Sequence, residues 1–119
     1  MFIKDILYFN KEDSEAEIIV SDGHYMVNCY IYPIKHVAIG CKIGNIDGFG
    51  CAGIVIANEK KYEVKKLSQY FAYQLTAKVV DNKNRVVRIG GLFINLDTEI
   101  PKDITNGDYI AFSVTRLDC

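Results

Sequence analysis

The clearest pattern in the chain is the run Phe71-Ala72-Tyr73-Gln74-Leu75-Thr76-Ala77-Lys78-Val79, apolar at odd positions and small or polar at even ones. Alternate side chains leave an extended backbone on opposite faces, so this period of two predicts a strand with one buried face. The same reading gives strands over Ile3 to Phe9, Ala16 to Ser21 and Tyr25 to Tyr32. The acidic stretch Asn10 to Glu15 is a solvated turn, and Asp22-Gly23 suits a type I′ hairpin turn, which needs positive φ. Pro33, which has no N–H for a ladder, ends the third strand.

Five of the nine glycines fall between Gly40 and Gly53, predicting a bent segment, and Ile54-Val55-Ile56 reads as a short buried strand. Asn58 to Tyr70 is the one helical candidate, with Asn58 as N-cap and Val64, Leu67 and Phe71 as an apolar stripe; a strand over Tyr62 to Lys66 is the alternative. Beyond Phe71 to Asp81 the pattern predicts a turn at Asn82 to Asn84 and a strand Arg85 to Ile89. A bend or bulge at Gly90-Gly91 and a strand Leu92 to Leu96 follow. Pro101 to Asn106 is a connection, and Gly107-Asp108 opens a last strand with Ile110, Phe112 and Val114 facing one way.

Composition sharpens this picture. Sixteen isoleucines and eight tyrosines against two methionines and no tryptophan favour pleated surfaces over helices. At 119 residues the chain can bury one core without metal or disulfides, so a single domain over 1–119 is expected. Short strands at spacings of roughly ten residues predict an all-β fold, a small antiparallel OB-like or SH3-like barrel with about seven strands and at most one short helix.

Fourteen basic and fifteen acidic residues leave a net charge of −1, which disfavours generic attraction to nucleic acid or anionic lipid. Lys4 and Asp5 interrupt the first apolar stretch, which lacks a small-residue cleavage site, so it reads as a strand and not a signal peptide. No run is apolar enough for a transmembrane helix; the expectation is a cytoplasmic protein that makes no membrane contact and keeps Cys29, Cys41, Cys51 and Cys119 as free thiols.

The candidate chemistry is sparse. Gly48-Phe49-Gly50-Cys51-Ala52-Gly53 matches G-x-G-x-x-G, but a dinucleotide cradle needs a helix opening on its glycines, and here a β-branched run follows. A loop that turns sharply or passes close to another strand is the simpler reading. His24 with Cys29, and His36 with Cys41, are spaced by five, which on a strand separates them onto opposite faces, so no metal site is expected. Asp97, Asp103 and Asp108 fit turn positions. Cys41 or Cys51 with His36 is all that a thiol nucleophile could draw on, and no local signature accompanies it.

Binding residues are easier to nominate. Lys60, Lys61, Tyr62, Lys65, Lys66 and Tyr70, followed by Phe71 and Tyr73, mix cations and aromatics as single-strand nucleic-acid platforms do. Tyr8, Tyr30, Tyr32 and Tyr109 are a second set, since exposed tyrosines anchor protein interfaces. The sequence therefore predicts a non-enzymatic binding domain with no cofactor and no catalytic residues, whose partner is a protein; immunity- or inhibitor-type proteins are one form of this. An OB-like single-stranded nucleic-acid binder is the alternative, a thiol-dependent enzyme the third reading. Self-association through an open sheet edge is a further expectation.

Overall fold

The structure, a computed structural model, describes residues 1–33, 38–67 and 71–119, and at Tyr8 the backbone alone. It is all-β. Eleven strands follow one another: β1 (Phe2–Asn10), β2 (Glu15–Ser21), β3 (Met26–Ile31), β4 (Ile46–Phe49), β5 (Ala52–Ile56), β6 (Glu63–Lys66), β7 (Tyr73–Asp81), β8 (Val86–Ile89), β9 (Leu92–Leu96), β10 (Tyr109–Val114) and β11 (Arg116–Asp118). They form one sheet in the order β1-β2-β3-β11-β4-β9-β8-β7-β10-β5, with β6 beside β7.

Two corrections to the expected architecture follow. The sheet is mixed, because β11 runs parallel to β3 and β4 runs parallel to β9. It also ends at β1 and β5 without closing, so the closed OB-like or SH3-like barrel is not what forms. The short strands β4 and β11, which the alternation did not reveal, supply the parallel pairs. They sit between the hairpins β2–β3 and β8–β9, paired to partners distant in sequence.

The alternation does set what is buried. Tyr73, Leu75, Ala77 and Val79 of β7, Ile110, Phe112 and Val114 of β10, and Val27, Cys29 and Ile31 of β3 all join one continuous core. Full burial of a side chain the size of Phe112 contributes roughly 1.5–3 kcal/mol, and Ile3, Ile18, Ile46, Leu75, Leu92 and Leu117 are among the others buried this completely. The sheet curls far enough for its halves to touch. Asn28 N–H on β3 donates to Tyr73 Oη on β7 at 2.9 Å, although four strands separate β3 from β7 in the sheet.

Local chemistry at the turns departs from the sequence reading in three places. Ser21 pairs with Met26, so residues 22–25 form the loop where a two-residue Asp-Gly turn was expected. Asp22 Oδ1 accepts the N–H groups of His24 (2.8 Å) and Tyr25 (2.7 Å), and Gly23 takes φ of +96°. No helix forms in the described part of 58–70; the alternative strand over Tyr62 to Lys66 forms instead as β6, which pairs along β7 from Glu63↔Thr76 to Lys66↔Tyr73, a ladder that outweighs a weak apolar stripe. Gly90 and Gly91 are the two-residue loop of the β8–β9 hairpin, in which Ile89 pairs with Leu92.

Candidate interaction surfaces

The glycine-rich loop resolves first. Gly50 and Cys51 follow β4 directly, and their N–H groups donate to the Asp97 carboxylate at 2.8 and 3.1 Å. The loop thus holds an anion, the chain's own Asp97. Desolvation raises the Asp97 pKa, but these amide bonds outweigh it and leave the carboxyl below its usual value. Gly50 has φ of +67°, and a Cβ there would overlap the Thr115 side chain. Asp108 is also spent locally, accepting from Thr105 N–H at 2.9 Å, while Asp103 is exposed.

Two of the thiols are poor nucleophile candidates. Cys29 is fully buried, and burial first, then its neighbour Cys119, pushes its thiol well up. Burial likewise pushes the Cys51 thiol up to about 12. A nucleophilic cysteine needs the opposite shift. His36, the base invoked for Cys41 or Cys51, lies outside the described residues. His24 is exposed in the β2–β3 loop with its ring edge-on to Tyr25, whereas Cys29 is buried. Among the described residues no group of three or more His, Cys, Asp or Glu is placed to hold a metal ion.

The predicted binding residues divide. Tyr62 and Tyr109 come together, ring centroids 5.4 Å apart, and Tyr25 stands edge-on to Tyr62 at 5.7 Å. Lys60 and Lys61 are exposed in the preceding loop; Lys61 lines an open polar cavity of about 360 Å³ with Asn58, Glu59, Glu63, Gln74 and Thr76. Lys65 and Lys66 are exposed on β6. Tyr73 is buried, and Tyr70 lies outside the described residues. Tyr73 is therefore no part of an exposed Lys60 to Tyr73 platform.

Tyr30 belongs to another cluster. Its hydroxyl donates to Glu15 Oε2 at 2.6 Å, which is the main reason its pKa is pushed up to about 12. The Arg116 guanidinium lies 5.1 Å from its ring centre, and Phe71 meets it edge-on. Tyr32, 61% exposed, follows β3.

Two features were missed by the sequence reading. The first is β5, expected to be buried. It pairs with β10 alone, leaving Val55 57% and Ile56 54% exposed. Ala57 N–H donates to Tyr109 C=O at 2.9 Å, so strand alternation turns the N–H and C=O of Ile56 away from β10 toward the open edge. The second is a row of outward side chains that crosses four strands, Tyr109, Lys78, Arg88 and Phe93, set by the registers Tyr109↔Lys78, Lys78↔Arg88 and Arg88↔Phe93. Alternation placed Lys78 outward, but only register could show that Arg88 faces it.

Comparison with protein-family models, curated proteins and solved structures gives no match to this chain. No helix among the described residues is long and apolar enough to cross a membrane.

Proposed function

We propose that this protein is a small non-enzymatic binding module that recognises a protein partner by accepting an extended segment along β5. The observation that carries this reading is the unguarded edge. Natural edge strands are blunted by lysines, prolines or bulges, because their unpaired backbone groups template further pairing. Ala52–Ile56 holds no charge and no proline. Its one guard is a register shift between Ala111 and Ser113, which puts Gly53 and Ile54 in a bulge and leaves Val55 to Ala57 regular.

Strand addition would satisfy the outward amide and carbonyl of Ile56, while neighbouring side chains cover the two exposed aliphatics. Val55, opposite Ala111, lies on the outer face; Ile56, opposite buried Ile110, lies on the inner one. A fitting partner segment is therefore extended, uncharged and β-branched, offering apolar side chains on both faces. The raised Cys29 and Cys51 thiols favour a role without covalent chemistry.

The test uses the full chain as bait in lysate of its native host, wild type against Val55→Lys/Ile56→Lys, with hydrogen exchange on the captured complex. A stoichiometric partner lost with the variant, together with new amide protection over residues 54–57, is expected. Equal capture by both baits, or protection elsewhere, overturns the reading. A wild-type homodimer that the double substitution dissociates would replace the foreign partner with a second copy.

A further inference from the structure

We propose that the outward row centred on Lys78 and Arg88 binds the phosphate of a nucleotide. The argument starts from like charges. Directly paired residues on neighbouring antiparallel strands share a face with Cβ atoms about 4.5–5.5 Å apart, and like charges there destabilise the sheet. Lys78 and Arg88 are such a pair, both half-buried. Among the described residues the one ion pair is Arg116 with Asp118, so no carboxylate compensates the two cations. Nearby acids are committed or displaced: Asp81 accepts Asn84 Nδ2 at 2.7 Å, and Glu63 sits one row away, opposite Thr76. An anion between the two cations would convert a repulsive pair into a clamp.

The flanks of the pair narrow the choice of anion. Tyr109 stands on one side, with Lys78 Nζ 6.0 Å from its ring centre, and Tyr62 continues the aromatic surface; half-buried Phe93 stands on the other. Phosphate offers several oxygens, which suits a planar guanidinium fork beside an ammonium. Rings next to the phosphate clamp give an aromatic base something to stack on, a use that an inorganic anion or a protein carboxylate lacks. The source is either a free nucleotide or single-stranded nucleic acid. This face is distinct from the β5 edge, though it adjoins it at Tyr109, and its test does not depend on a partner for β5.

The experiment is a fluorescence-anisotropy titration of the full chain with labelled short oligo(dT), competed by AMP, inorganic phosphate and a poly-glutamate peptide. Binding should weaken at least about tenfold in both Lys78→Gln and Arg88→Gln, the loss expected for one charge-assisted hydrogen bond. Lys11→Glu, on a distant turn, serves as the control and should bind as wild type. With two phosphates neutralised at most, log K should fall with log salt at a slope of about −1.4. Thermal unfolding of the unliganded Lys78→Gln variant should be unchanged or raised, because a repulsion is removed; a residue with only a structural role would lower it.

Competition by AMP at equal nucleotide concentration assigns the site to free nucleotide, and preference for the oligomer assigns it to single strands. The proposal is overturned by no binding of either, by unchanged affinity in both glutamine variants, or by phosphate or poly-glutamate competing as well as AMP.

Discussion

Gly91 N–H, on the β8–β9 turn, donates to Asp22 Oδ2, on the β2–β3 turn, at 2.6 Å. The other carboxylate oxygen holds His24 and Tyr25 N–H, so one side chain shapes its own loop and ties it to a hairpin 69 residues away. Approach is this close because neither Gly90 nor Gly91 carries a Cβ; one on Gly91 would lie 2.9 Å from Asp22 Cβ. Asp22→Ala removes all these acceptors and should cost about 1–3 kcal/mol in urea unfolding, with Asp22→Asn intermediate.

The same carboxylate makes stability depend on pH. Desolvation raises its pKa, but the amide bonds from Gly91, Tyr25 and His24 outweigh it and leave it below the ordinary aspartate value of 3.8. A depressed folded-state pKa means that the unfolded chain binds the proton more readily. The stabilisation is therefore complete above about pH 5 and is lost as pH falls through and below 3.8. Urea midpoints from pH 7 to pH 3 should fall less steeply in Asp22→Ala than in wild type. Parallel curves would show that Asp22 carries none of the dependence.

Tyr73→Phe keeps the buried ring and removes the oxygen that receives Asn28 N–H. That amide would then lack its phenol partner where β3 meets β7. The expected loss is about 1–2 kcal/mol, with Asn28 among the amides whose hydrogen exchange accelerates most.

Gly50→Ala combines left-handed backbone with overlap on Thr115, whose Oγ1 donates to Phe49 C=O at 3.0 Å. A loss of roughly 2–4 kcal/mol is expected by thermal or urea unfolding. Thr115→Ala should recover part of it in the double variant, since it deletes both the hydroxyl and the methyl that the new Cβ would overlap. Strict additivity would place the strain in the backbone alone.

Val55→Lys and Ile56→Lys act on exposed side chains and should change stability by no more than about 1 kcal/mol. Resistance to aggregation on heating should rise, because a charged edge no longer templates pairing. A large loss of stability would mean that the β5 edge is covered within the monomer.

Cys51 should alkylate slowly. A thiol pushed from 9.0 to about 12 holds about a thousandfold less thiolate at neutral pH than the unfolded chain. Iodoacetamide labelling read by peptide mass spectrometry should show the difference, and equal rates in native and denatured protein would remove it.

The sequence by itself determined the β class, the identity of the inner faces and most strand positions. Tyr73, Leu75, Ala77, Val79, Ile110, Phe112 and Val114 are inside because a period of two with a hydrophobic phase leaves one way to exclude water. It also showed that the glycine loop is no dinucleotide cradle, since Ile54-Val55-Ile56 cannot open a helix on it. Local preference failed at Asn58 to Tyr70, where pairing with β7 overrode a marginal helical stripe.

Tertiary structure alone decided pairing. Nothing in four residues such as Ile46–Phe49, or three such as Arg116–Asp118, encodes a parallel partner far along the chain. Register then determined the surfaces: it set Lys78 against Arg88, brought Tyr25 to Tyr62 and Tyr109, and left β5 as an edge although its composition reads as buried. Alternation is a property of one strand and is written in that strand. Neighbourhood is a property of two, set by the free energy of the whole core, and a single segment cannot carry it.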